Sequence, residues 1–397
     1  MPGALAGWCR ALDQYGTLDL QDVLAPSIHI AERGFVVTPY LADCITDNID
    51  ELRQDPGLAA LFLPAGTPLR AGTRLVQSEY AETLRHIARE GAAALHGGAL
   101  GSALIGGIMT ASDWQSFRVE DREPICSTYR GYEVLGPPPP ASAGVHIAQM
   151  RNLLEGYDVG AMGFGSPESV HLLAEVLKIA FADRAVATAD PAFVEVPVAR
   201  LISKDCARER RALIDPGQTQ NWQSGVYGDS HSTTHVTVAD DLGNVVASTQ
   251  TINGLFGAFV QVPDTGMIAN NYMYSVDPHP GLALSVEPGK RVFTSMAPMM
   301  VCSEGRIRYA LGLPGAPRIW TEGGVVEIEE RFPQAVEDGL TERGHKVVRS
   351  SRIAGGMNAI AFEDDGTMTG AACWRADGTP VGIASGLARA RVRFSTM

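Results

Sequence analysis

From Val226 onward the apolar residues of this chain recur at every second position, a spacing that strands satisfy and helices do not. Turn-forming residues interrupt that pattern around Gly243, around Glu304-Gly305 and around Asp364-Asp365-Gly366, so the second half is predicted to be mostly antiparallel sheet built from hairpins. The period before it is helical. Gln77 to Leu95 places Tyr80, Leu84, Ile87 and Ala88 on one face and stops at Gly97-Gly98. About Glu168 to Asp183 does the same with Val170, Leu173, Leu177 and Ala180, and Leu18 to Leu24 reads as a shorter helix. Helices followed by antiparallel hairpins make an α/β (α+β) chain, expected to stack as helix, two sheets and helix. There is no internal repeat, and Pro137 to Pro140 is too short a run to separate domains, so one globular unit is expected.

The first hairpin also carries chemistry. Ser232-Thr233-Thr234-His235-Val236-Thr237-Val238 sets a hydroxyl at the head of an alternating strand, and Val245 to Asn253 returns as its partner. Scission of the Ser232–Thr233 bond would give Thr233 a free α-amine beside its own hydroxyl. A threonine hydroxyl is a poor nucleophile at neutral pH, but an amine with a pKa of about 7.7 to 8.0 is suited to take its proton during attack on an amide. Thr251 and Asn253, two apart, share a face of the returning strand and are placed to reach the nucleophile. Against this stands the bland reading, in which threonines populate a strand because they suit one. His235 alternates onto the same face as Thr233, to touch the site or merely to pack beside it.

The residues Thr233-Thr234-His235, Gly243-Asn244, Thr251, Asn253, Asn270-Asn271, Pro288-Gly289-Lys290-Arg291 and Leu313-Pro314-Gly315 resemble, in order and spacing, the small subunit of gamma-glutamyltransferases. Pro2 to Trp8, Leu24 to Ile28, Tyr129 to Tyr132, Pro137 to Pro140 and His171 to Glu175 resemble the large subunit. The resemblance implies a self-cleaving N-terminal nucleophile hydrolase with an αββα sandwich, a large-subunit-like region 1–232 and a small-subunit-like region 233–397, the two fragments staying associated. It implies Thr233 as nucleophile, Thr251 as the residue that tunes it, and Gly315 with Ala316 as backbone oxyanion donors. Asn253, Thr294, Ser295 and Ser275 are implied as substrate contacts.

Three departures bear on substrate. The family places an acid after Asn-Asn to hold the donor's α-ammonium, whereas this chain reads Asn270-Asn271-Tyr272-Met273-Tyr274-Ser275. The resemblance starts at the Pro-Gly motif, so the family's first hundred or so residues, with the arginine that grips the glutamate carboxylate, have no counterpart here. The helical stretch that separates two such motifs in the family has no counterpart between Leu313-Pro314-Gly315 and Ala316-Pro317-Arg318-Ile319, so Ala316 also fits the later motif while Gly315 does not. The expected activity is hydrolysis or transfer of a gamma-glutamyl or related amide through an acyl-Thr233 intermediate. An acylase with a non-glutamyl substrate and an unprocessed binding or scaffold member stay open.

Charge narrows the partners. A net charge of −13 argues against a nucleic-acid groove or an anionic membrane surface, and no run reaches membrane-spanning length. A small-molecule or short-peptide amide fits better, and a homo-oligomer is compatible with the sequence. No cofactor is expected. His231 and His235 stand about 13 Å apart on an extended segment, too far to share a metal, and the six cysteines form no Cys-x-x-Cys pair. Without a signal peptide in this sequence the default location is cytoplasmic, or periplasmic or secreted if a longer N-terminus precedes Met1.

Overall fold

The computed structural model describes residues 2–104, 109–222, 233–312, 319–351, 353, 356–373 and 376–382, excepting the side chains of 185–187. They group into two compact units, one made of residues 1–122 with 252–271 and the other of 123–251 with 272–397.

The first unit is helical. Its helices Pro39–Asp47 and Pro56–Phe62 begin where the sequence supplies a cap and a proline: Thr38 Oγ1 accepts from Leu41 N at 3.1 Å and Asp55 Oδ1 from Leu58 N at 2.9 Å. The helix expected from Gln77 spans Ser78–Glu90 and ends early, because Gly91 takes φ 60° and turns the chain into a short 3₁₀ segment. The one expected near Leu18 is longer than its sequence suggested, Leu20–Arg33, and passes through Pro26. A proline there removes a helical donor. The loss is offset by packing of Leu24, Ile28 and Ala31 against Ala81 and Leu84. Phe256 sits in the main core of this unit and meets Phe62 edge-on at 5.3 Å, so the chain just past Thr251 is fixed there.

The second unit carries the sheets. Six strands lie in the order Met368–Ala372, Asn358–Phe362, Arg306–Gly312, Pro298–Ser303, Tyr132–Gly136 and Ile125–Tyr129, each antiparallel to its neighbours. The turns at Glu304-Gly305 and Arg130-Gly131 take positive φ at both residues, the geometry that a right-twisted two-residue hairpin requires. The hairpin Thr234–Ala239 with Val245–Gln250 forms a separate two-stranded sheet packed on the strands Pro298–Ser303, Arg306–Gly312 and Asn358–Phe362. Helix Ala143–Leu154 packs on the other end of the large sheet, against Ile125–Tyr129 and Tyr132–Gly136, and against helix Pro167–Ala187. The latter is the expected helix from Glu168, opened by Ser166 as N-cap.

One element departs from the antiparallel plan. Val326–Glu329 pairs in parallel with Val347–Ser350, joined through helix Gln334–Glu342, and that face closes over Val170 and Ala174.

Candidate active site

Thr233 is half-buried at the entrance to the strand Thr234–Ala239. The hairpin register pairs Thr234 with Gln250 and His235 with Thr249, and the strand ends at Gln250, so Thr233 and Thr251 are the residues immediately beyond the last pair and Asn253 lies past the strand rather than on it. His235, Thr237 and Thr249 share one face of the hairpin, which is turned inward: His235 is 7% exposed, while Val236, Val238 and Val246 on the other face are 45%, 55% and 58% exposed. The usual pattern is inverted. A hairpin that buries threonine and histidine while exposing valine has its inner face specified by hydrogen bonding rather than by hydrophobicity.

Those hydrogen bonds fix the histidine's state. His235 Nδ1 lies 2.6 Å from Thr249 Oγ1 and Nε2 lies 2.9 Å from Thr237 Oγ1, and burial pushes its pKa down to about 4. It is a neutral wedge at working pH and not an acid or base. The ring rests on Gly312: a Cβ there would stand 2.0 Å from Nδ1, closer than any real contact, so the strand needs glycine at that point. Gly312 pairs with both Pro298 and Asn358, which puts all three at one end of the large sheet. Into that end the chain arrives from Thr294 and Ser295, which precede Pro298. With about 3.3 Å per residue, Thr233 lies on the order of 7 Å along its strand from the ring that covers Gly312.

The remaining expected positions are placed as follows. Ser232, His231, Gly315 and Ala316 lie outside the described residues. The backbone of Thr294 is held by the segment 140–142: its N–H donates to Pro140 O at 3.1 Å, and its carbonyl accepts from Ser142 N at 2.7 Å and Ser142 Oγ at 3.1 Å. Its hydroxyl is shielded from solvent and has no hydrogen-bond partner among the described residues. Asn253, in the first unit, adopts φ 75°, which asparagine tolerates, and its amide donates to Asn271 O at 3.4 Å. Gly254 N donates to Asn271 Oδ1 at 2.7 Å, tying the Asn270-Asn271 step to the same loop. Ser275 ends a 3₁₀ turn, Tyr272–Ser275, and is buried. Asp277, the next acid along the sequence, accepts from His279 N and pairs with His279 Nδ1, both at 2.8 Å, within its own turn.

A buried polar cluster outside this site was invisible as a unit in the sequence. His171, Glu175 and His345 bring ligand atoms within 4.8 Å of one another, a spacing that suggests a metal. Their hydrogen bonds already use those atoms. Lys178 Nζ donates to Glu175 Oε1 at 2.9 Å, Thr219 Oγ1 at 2.6 Å and His345 Nδ1 at 3.3 Å. His345 must then carry its proton on Nε2 and donate it to His171 Nδ1 at 2.7 Å, leaving His171 Nε2–H for Asp215 O at 2.8 Å. Glu175 Oε2 takes Trp222 Nε1 at 2.8 Å and Gln220 N at 3.2 Å. Every group is satisfied and an ammonium occupies the centre, which disfavours a cation. Burial pushes the Glu175 carboxyl up, but the bonds from Trp222 and Lys178 outweigh it and hold it below the usual range.

Three neutral buried histidines set the acid limit of the fold. His146, His235 and His345 are each pushed down to about 4, chiefly by burial. The unfolded chain protonates these imidazoles near pH 6.5 and the folded chain only near 4, so between those values the unfolded state binds more protons and acid favours it. Stability is therefore full above about 6.5 and falls as pH drops toward 4. Urea midpoints measured at pH 7.5 and pH 5.0 should show a clearly lower value at pH 5.0; equal midpoints would contradict the neutral assignment.

The fold is that of the N-terminal nucleophile hydrolases, mixed α/β with antiparallel sheets and a threonine heading the inner hairpin. The profile of the family described as Gamma-glutamyltranspeptidase matches residues 1–323, and the chain belongs to that family. It is 63% identical to the Acylase ACY 1 proenzyme of Pseudomonas sp. (strain SE83), over 100% of this chain and 77% of that protein. It is 32% identical to the Glutathione hydrolase proenzyme of Bacillus subtilis (strain 168), over 96% of this chain and 74% of that protein. Among solved structures, the cephalosporin acylase from Bacillus halodurans superposes with a TM-score of 0.86 at 27% identity, covering 96% of this chain and 77% of that one. The alignment with the Pseudomonas acylase is longer than this chain, so that relative carries internal residues with no counterpart here. The protein is thus an amide-cleaving acyl-transfer enzyme of the N-terminal nucleophile class.

Proposed function

We propose that the chain cleaves itself at Ser232–Thr233 and then acts as an acylase on amides whose acyl group bears no α-ammonium. The observation that supports the reading is the hairpin whose last pair, Thr234 with Gln250, leaves Thr233 and Thr251 as the next residue on each arm, packed over the large sheet. In the first step the Thr233 hydroxyl attacks the Ser232 carbonyl in an N-to-O shift that frees the Thr233 α-amine and leaves Ser232 as an ester on the hydroxyl, and water then hydrolyses that ester to a Ser232 carboxylate and a free Thr233 hydroxyl. In the working enzyme that amine takes the hydroxyl proton as oxygen attacks the substrate carbonyl. Backbone N–H groups, from Gly315 foremost and Ala316 next, stabilise the oxyanion, a contribution of about 3 to 4 kcal/mol per donor in such sites. The amine leaves with the proton, and water hydrolyses acyl-Thr233. Thr251 orients the nucleophile, and Asn253, Thr294, Ser295 and Ser275 contact the acyl group. Processed fragments 1–232 and 233–397 remain packed together, and the substrate is a small-molecule or short-peptide amide.

The acyl preference rests on what stands where an ammonium would be bound. Residues 272–275 offer no carboxylate, and Asp277 is engaged with His279. A donor with an α-ammonium would lose a charge-assisted partner commonly contributing about 1.5 to 3 kcal/mol, or roughly 10- to 150-fold in kcat/KM. A matched pair of chromogenic amides, glutaryl and gamma-glutamyl, measured with and without a dipeptide acceptor, checks this. The des-amino donor is expected to be at least about tenfold better, whereas faster gamma-glutamyl turnover would restore the family's glutathione-type substrate. The cephalosporin acylase among the structural neighbours makes a cephalosporin side-chain amide the next donor to try.

A further inference from the structure

We propose that Asn358 is a positioning residue for acyl transfer, holding the Thr233 strand at a fixed place over the end of the large sheet. Its side chain closes a ring of hydrogen bonds around His235. Asn358 Nδ2 donates to His235 O at 2.6 Å, and Asn358 Oδ1 accepts from Thr237 Oγ1 at 3.2 Å. Because a backbone carbonyl only accepts, the amide orientation is forced. Thr237 therefore spends its proton on Asn358 and must accept from His235 Nε2–H, which leaves Nδ1 to accept from the Thr249 hydroxyl. Each donor in the ring has one acceptor, and each proton position follows from the last.

This ring joins the parts that acyl transfer needs in register. His235 is two residues from Thr233, so the bond at its carbonyl fixes the nucleophile strand at its backbone. Asn358 is itself paired with Gly312, the last described residue before the segment that holds Gly315, and the His235 ring lies on that same glycine. The strand that follows Thr233 and the strand that ends at Gly312 are thus referenced to one amide. Near-attack geometry tolerates little displacement, and about 1 Å costs on the order of 100-fold in rate.

The proposal rests on the reading of Thr233 as nucleophile, and its test separates the two. Asn358→Asp is nearly isosteric but replaces the donor facing His235 O with an acceptor. It is expected to lower kcat about 100-fold with KM within a few-fold and the melting profile close to that of the parent. Thr237→Val, which breaks the ring at a different bond and keeps the Asn358–His235 contact, should lower kcat in the same direction by less. If Asn358→Asp does not fold, Thr237→Val decides alone. Parental kcat in the folded variants overturns the positioning role while leaving Thr233 in place. A parent enzyme that turns over substrate without cleavage before Thr233 overturns the nucleophile reading instead.

Discussion

Thr233→Ala is expected to purify as one uncut polypeptide and to lose at least about 10⁴-fold in amide hydrolysis, the scale seen when the nucleophile of an acyl-transfer site is removed. On the proposed mechanism one substitution abolishes both events because one oxygen performs both: it attacks the Ser232 carbonyl during maturation and the substrate carbonyl afterwards, and the amine proposed as its base exists only after the first attack. Denaturing electrophoresis and a chromogenic amide assay on the same preparation test the pair. Thr233→Ser keeps a hydroxyl and should retain slower cleavage of both kinds. A variant lacking the hydroxyl that still separates into two fragments would assign processing to another group.

Glu175→Ala is expected to destabilise the fold by about 3 to 5 kcal/mol. The carboxylate side chain is 0% exposed and its partner Lys178 is 4% exposed. Removal leaves an ammonium inside the protein with Thr219 and His345 as its only described acceptors, and it strips the acceptor from Trp222 Nε1 and Gln220 N. Changing both members to apolar residues of similar size, Glu175→Leu with Lys178→Met, should cost far less than the two single changes together, because no charge is then stranded. Urea unfolding of the two single variants and the double variant gives the coupling directly. A Glu175→Ala midpoint close to that of the parent would show that water, not the protein interior, solvates the pair.

Local signals were legible in the sequence, and long-range ones were not. The hairpins at Gly243, at Glu304-Gly305 and at Asp364 to Gly366 announce themselves because two or three residues of turn chemistry sit between alternating runs. Arg130-Gly131 carries a weaker signal, because the strands on either side of it are only five residues each. The parallel pairing of Val326–Glu329 with Val347–Ser350 depends on a helical crossover, which no local spacing reveals.

The same division runs through the site. The pairing of His235 with Thr249 follows from the hairpin's own register, which the sequence signals locally. Asn358 lies more than a hundred residues from His235, and its only local hint is an asparagine, a poor strand former, opening an otherwise apolar strand. Likewise the helical spacing of His171, Glu175 and Lys178 was visible, but nothing nearby in the chain points to Thr219, Trp222 or His345 as their partners.

Intact mass measurement with N-terminal sequencing of the purified, active protein bears most directly on the central claim that Thr233 becomes a chain terminus. The account predicts two masses, corresponding to residues 1–232 and 233–397, and a sequence beginning Thr-Thr-His-Val. A single uncut mass in a preparation that hydrolyses amides would contradict it.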